Sequence, residues 1–278
     1  MRKFSLLLVV SVVILAMRVV CARGQPLHLF TDRGEINFGK CASGSTYEET
    51  FHLVLRDTHS RWAVFVRAEE SGRGKKVFPY LSLEGPGVTL KKVEQEDRKF
   101  LEGTGEGELT VEAKLRFEPD WTIPPGIYSC TLFFQYLPES GVPEDPPLPV
   151  VVKVETLPEI ELRVEGEGVL RFTAQGSPGL YPLEGIIKLR GRSNAGLWRV
   201  VLSSEGLRGE KGGTIPASRI FKKVGKEYLP LSRGFELGPF PGGEEVEITL
   251  EGLYVDTVLE DQPDVYQGEL RFRCFFKE

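Results

Sequence analysis

Histidine, methionine and asparagine are scarce: 278 residues hold three histidines and two methionines, and asparagine occurs only at Asn37 and Asn194. So few histidines leave little for imidazole acid–base work, and no Gly-x-Ser-x-Gly elbow is present to carry a nucleophilic serine. His28, His52 and His59 have no His, Cys or acidic neighbour at a recurrent metal spacing. They read as surface or strand residues, and no metal is expected. A basic tract is also missing. The net charge of −5 is small and mixed in sign, which excludes a nucleic-acid footprint. Paired carboxylates for glycoside hydrolysis cannot be singled out among 40 acidic residues spread along the chain. No catalytic constellation and no cofactor are expected.

Long runs of helical period are absent too. What is present instead is Val, Ile, Thr, Phe and Tyr alternating with charges, punctuated by 31 glycines and 19 prolines. That is the pattern of short strands and tight turns, so the chain is expected to be all-β. Glu, Lys and Arg dominate the charges, a composition shared with heat-tolerant proteins.

The N-terminus reads as an export signal. Arg2-Lys3 is followed by an apolar run from Phe4 to Met17. That run is shorter than the ~20 residues a spanning helix needs. Val20-Cys21-Ala22 places small residues where a signal peptidase cuts, so residues 1–22 are assigned to the signal and the mature chain begins at Arg23. No later stretch is apolar enough to span a membrane. The mature chain is expected in the periplasm, on the cell surface or in the medium.

The mature chain repeats itself. Gly126-Ile127-Tyr128-Ser129-Cys130-Thr131-Leu132-Phe133-Phe134 returns as Asp264-Val265-Tyr266-Gln267-Gly268-Glu269-Leu270-Arg271-Phe272, with Tyr, Leu and Phe at the same offsets. Phe38 and Phe172 are each followed nine residues later by Tyr47 and Tyr181. Trp62, Val64 and Val66 share one strand phase, as do Trp198, Val200 and Leu202, and a Lys-Lys-Val triplet follows at Lys91 and Lys222. A side-chain period of two buries one face and wets the other. Leu109, Val111, Ala113, Leu115 and Phe117 are expected inward, and so are Tyr266, Gly268, Leu270, Phe272, Cys274 and Phe276. Two domains follow, 23–157 and 158–278, linked at Leu157-Pro158-Glu159. Only the first continues through a proline-rich loop into a further strand, Val150 to Val154. The second is expected to lack that last strand, which leaves an edge of unpaired backbone groups unless the domain manages with fewer strands or an early strand of its own covers it.

Pro124-Pro125-Gly126-Ile127-Tyr128 with Leu132 resembles the strand start common in bacterial immunoglobulin-like domains of secreted and cell-surface proteins. The resemblance covers roughly residues 27–156, and more loosely 159–278. It implies two tandem immunoglobulin-like β-sandwiches, each with a tyrosine whose hydroxyl ties a loop to the start of a strand. It implies no specific activity.

Removal of the signal leaves Cys41, Cys130 and Cys274. Cys41 and Cys130 have Gln175 and Gly268 as counterparts, so both are missing together from the second copy. That makes Cys41–Cys130 a candidate disulfide, with free buried thiols as the other reading. Trp121 has no counterpart and sits among Pro119, Asp120, Pro124 and Pro125, where it reads either as a ligand or partner contact or as a loop side chain folded over the sandwich end. The function expected is that of a non-catalytic module binding a protein or polysaccharide of the cell envelope. Two readings stay beside it: an assembly subunit that self-associates through the open edge, and a carbohydrate-binding module using Trp121.

Overall fold

A computed structural model describes residues 27–70, 77–166, 169–183 and 185–277. The expected signal, 1–22, lies outside the described residues. The protein is all-β, and among the described residues no helix is long and apolar enough to cross a membrane.

Two groups of sheets share no strand. The first holds β1 (Leu29–Thr31), β2 (Glu35–Cys41), β3 (Tyr47–Thr58), β4 (Arg61–Glu70), β5 (Leu81–Gly85), β6 (Val88–Leu90), β7 (Arg98–Thr104), β8 (Gly107–Phe117), β9 (Gly126–Pro138) and β10 (Leu148–Thr156). One sheet runs β1-β3-β8-β5-β6 and the other β2-β10-β9-β4-β7. Their inner faces form a single apolar cluster that includes Phe51, Val64, Leu115, Leu132, Phe134 and Val152. Alternation explains the burial in β8, where Val111, Ala113, Leu115 and Phe117 face inward. Leu109, expected inward, is 43% exposed, because Gly107 to Thr110 all precede the covered part of the strand.

The second group holds β11 (Ile160–Glu165), β12 (Val169–Ala174), β13 (Gly179–Pro182), β14 (Ile187–Ser193), β15 (Trp198–Ser204), β16 (Gly206–Gly209), β17 (Thr214–Pro216), β18 (Ile220–Val224), β19 (Glu227–Pro230), β20 (Phe235–Phe240), β21 (Val246–Leu250), β22 (Leu253–Thr257) and β23 (Asp264–Phe276). Its own cluster centres on Trp198, Val200, Leu202, Val255 and Tyr266. Among the described residues, the long strand pair β3–β8 has no unbroken equivalent here. Gly252, at φ +66°, turns the chain between β21 and β22. β21 then pairs with β14 and β22 with β13, in separate sheets. The Lys-Lys-Val triplets diverge as well: Val93 is buried, while Val224 is 46% exposed at the end of β18.

Each core tryptophan lies against a glycine. A Cβ on Gly103 would come within 2.3 Å of the Trp62 ring, and one on Gly191 within 2.2 Å of the Trp198 ring. Trp198 also donates its indole N–H to the Pro241 carbonyl at 3.0 Å. Tyr128 and Tyr266 donate their hydroxyls four residues back, to Pro124 at 2.7 Å and Gln262 at 3.1 Å. These are the loop-to-strand ties expected of them.

The start of β23 is held by an ion pair. Both Asp261 oxygens accept from Arg219, at 2.7 and 2.8 Å, and Oδ2 also accepts the Val258 N–H at 2.8 Å. The Arg219 bonds, opposed in part by burial, hold the Asp261 carboxyl below its ordinary range. A carboxyl whose folded value is depressed contributes its full stability above the unfolded value of about 3.9, and loses it as pH falls toward the folded value. Asp261→Asn therefore destabilises by about 1.5–3 kcal/mol at neutral pH. The gap to wild type closes in acid. Urea unfolding of both proteins across that range reads the effect.

Candidate functional site

The cysteines form no site. Cys41, Cys130 and Cys274 are free thiols, and the candidate Cys41–Cys130 bridge is not formed. Register explains why. Cys41 on β2 pairs with Thr156, and Cys130 on β9 pairs with Val152, on opposite sides of β10. Two strand spacings across and four residues along separate the Cα atoms by about 16 Å, whereas a bridge needs them within about 7 Å. Burial pushes the Cys41 thiol up to about 11; burial, with Glu70 nearby, pushes Cys130 up to about 12. Cys274 is raised by burial as well but is only half-buried. A thiol reagent at neutral pH is expected to label Cys274 first, and Cys41 and Cys130 only on unfolding; peptide mapping of the labelled protein checks the order.

Trp121 stands where the two groups of sheets meet. The Arg192 guanidinium lies 4.6 Å from its ring centroid and occupies one face of the ring. Its indole nitrogen is buried without an acceptor. Beside it Asn194 gathers the linker: Nδ2 donates to Ser43 Oγ at 2.9 Å and to the Leu157 carbonyl at 2.7 Å, while Oδ1 accepts the Glu159 N–H at 2.8 Å. Glu159 in turn accepts the Ser43 N–H at 2.5 Å. These bonds satisfy a buried amide and hold the junction.

The histidines give an arrangement that the sequence reading missed. His28 precedes β1, His59 lies between β3 and β4, and Glu144 and Asp145 lie in the loop between β9 and β10. His28 stacks on Tyr136 with centroids 5.1 Å apart and planes 5° apart. Its main-chain N–H donates to Asp145 Oδ2 at 2.5 Å, and its Nδ1 lies 3.1 Å from the same oxygen. His59 donates its main-chain N–H to the Tyr136 hydroxyl, with Nδ1 also 3.1 Å from it. Burial, helped by Glu144 and Asp145, pushes the Tyr136 hydroxyl up, so it stays protonated. His28 and His59 are 31 residues apart in sequence and Glu144 is far beyond both, so no local spacing reveals the cluster. The one signal was that all three histidines fall in the first half. His52 stands apart, its Nδ1 2.8 Å from Asp32.

The second distinctive feature is the edge of β23. In the first half β10 lies between β2 and β9, parallel to one and antiparallel to the other. In the second half β12, the counterpart of β2, pairs directly with β23, from Val169 opposite Glu269 to Ala174 opposite Asp264. An early strand thus covers the first part of the edge expected to be bare. Beyond it, Leu270 to Phe276 pair with β15 on one side. Among the described residues, no strand pairs with that segment on its other side. The inward side chains follow suit. Phe134, Tyr136 and Pro138 of β9 are buried, but their counterparts Phe272 and Cys274 are half-buried and Phe276 is 39% exposed. Ile160, Leu162, Phe235, Leu237 and Val246 are also only partly covered. The wet faces, by contrast, carry cross-strand ion pairs, such as Arg116 with Glu48 and Arg190 with Glu247.

The sequence matches no family model and no curated protein. Among solved structures, the chain is similar to the CupB6 tip adhesin from Pseudomonas aeruginosa, at TM-score 0.33 and 11% identity, over 91% of this chain and 95% of that one. The Salmonella enterica SafA pilin in complex with the SafB chaperone gives TM-score 0.29 and 10% identity, over 82% and 85%. The PapD-like domain 7 of human CEP192 gives 0.33 and 12%, over 48% and 89%.

Proposed function

We propose that the protein is an exported, non-catalytic module of two tandem immunoglobulin-like sandwiches that binds another protein by accepting an extended strand along β23. The observation that carries this is that, among the described residues, no strand pairs with the outer edge of Leu270 to Phe276, where Phe272, Cys274 and Phe276 are only partly covered. Free backbone donors and acceptors beside uncovered apolar side chains can be satisfied by one strand that supplies hydrogen bonds and alternate apolar residues. The first half shows what such a strand looks like: β10 buries Val150, Val152 and Val154 and turns Lys153 outward. The partner segment is therefore an extended stretch with β-branched residues at every second position. Export rests on residues 2–22 of the sequence, where a positive start, an apolar run and small residues follow in order.

The test uses a synthetic peptide with the sequence of residues 148–156, offered to the purified protein. One peptide per chain, seen by native mass spectrometry, is the expected result. No uptake, or assembly of the chain into homo-oligomers in place of peptide binding, would count against a heterologous strand partner.

A further inference from the structure

The geometry points to a divalent-cation site in the first half, with His28, His59 and Glu144 as ligands and Zn²⁺ as the ion the donors suit. His28 Nε2 lies 3.6 Å from one Glu144 oxygen, and His59 Nε2 lies 3.5 Å from the other. The three ligand atoms all fall within 4.8 Å of one another. Ligands bound at about 2.1 Å around a tetrahedral ion sit about 3.4 Å apart, so the site is within about 1.5 Å of closure. His59 and Glu144 have exposed side chains at 43% and 39%, which leaves them room to make that movement.

The surroundings favour a metal over a simple ion pair. An imidazole that binds through Nε2 carries its proton on Nδ1 and needs an acceptor there. Both rings have one: Asp145 Oδ2 for His28 and the Tyr136 oxygen for His59, each at 3.1 Å. Asp145 is itself fixed, because Gln135 Nε2 donates to its carbonyl at 2.9 Å. Stacking on Tyr136 sets the plane of the His28 ring. The two rings are therefore oriented before any ion arrives. Two imidazoles and one carboxylate suit Zn²⁺ and its late first-row neighbours; Ca²⁺ and Mg²⁺ prefer oxygen alone. Three protein ligands leave a fourth position for water or for a donor from another molecule.

The ion would join three segments distant in sequence. It would clamp the loop between β9 and β10 onto the start of β1 and the β3–β4 turn. That clamp covers the end of β9, the region whose counterpart on β23 is bare. Histidine is absent from the second half, so the clamp has no equivalent there.

The test is Zn²⁺ binding by the untagged protein, stripped of metal by EDTA and titrated in competition with a chromophoric chelator. One equivalent bound with a raised melting temperature is the expected result. His59→Gln and Glu144→Gln each weaken binding by about tenfold or more, while His52→Gln leaves it unchanged. Both variants change exposed side chains, and circular dichroism confirms that they fold. Mg²⁺ in place of Zn²⁺ gives no shift. Failure of the wild type to take up Zn²⁺, or uptake that survives both substitutions, overturns the proposal. So does uptake that depends on His52.

Discussion

Trp198→Ala costs the second half about 3–5 kcal/mol and leaves the first half folded. Trp198 is fully buried, packs against Gly191 and Phe240, and donates to the Pro241 carbonyl. Truncation removes the largest buried side chain of its cluster, opens a cavity and leaves the Pro241 carbonyl without that donor. The loss is a large share of the 5–15 kcal/mol that holds an ordinary domain together. The two apolar clusters share no residue, and the sheets share no strand. Calorimetry is therefore expected to show one transition moved down in temperature and another unmoved. A single transition shifted as a whole would mean that the junction at Asn194 and Trp121 couples the two cores into one unit.

Phe276→Lys weakens uptake of the residue 148–156 peptide by about 10- to 100-fold and changes stability little. The side chain is 39% exposed, so a lysine there keeps its charge in water when no partner is bound. An arriving strand would bury it. Losing the burial of one phenylalanine costs about 1.5–3 kcal/mol, and the charge adds the cost of desolvation. Lysine is also the residue that natural sheet edges use to repel a further strand. Isothermal titration of wild type and variant with the same peptide reads the difference. An unchanged affinity would place peptide binding away from β23.

Much of this architecture is legible in the chain. The alternation in β8 and β9 gives the inward faces correctly along most of each strand, because a period of two has only two phases. Trp62 and Trp198, repeated in phase with valine, are core. The tyrosine ties are implied by the resemblance of the strand start, and Tyr128 and Tyr266 make them. Periodicity does not say which strand lies alongside which. That is why the sequence leaves a bare edge and one covered by an early strand as alternatives, between which the pairing of β12 with β23 decides in part, and why it gives no sign of the split of the second long strand at Gly252. The same limit hid the histidine cluster. His28, His59 and Glu144 belong to three segments, brought to one end of the first half by the pairing of β1 with β3 and of β9 with β4 and β10. The sequence leaves Trp121 as either a contact residue or a loop side chain folded over the sandwich end, because Arg192, which stacks on it, comes from the other half of the chain.

Amide hydrogen exchange along β23 tests the strand-accepting edge most directly. In the free protein every second amide from Leu270 to Phe276 should exchange fast, since β15 can protect only those that face it. Adding the residue 148–156 peptide should slow the fast set and leave the rest of the chain unchanged. Uniform protection of Leu270 to Phe276 in the free protein, or a peptide that slows nothing there, would contradict it.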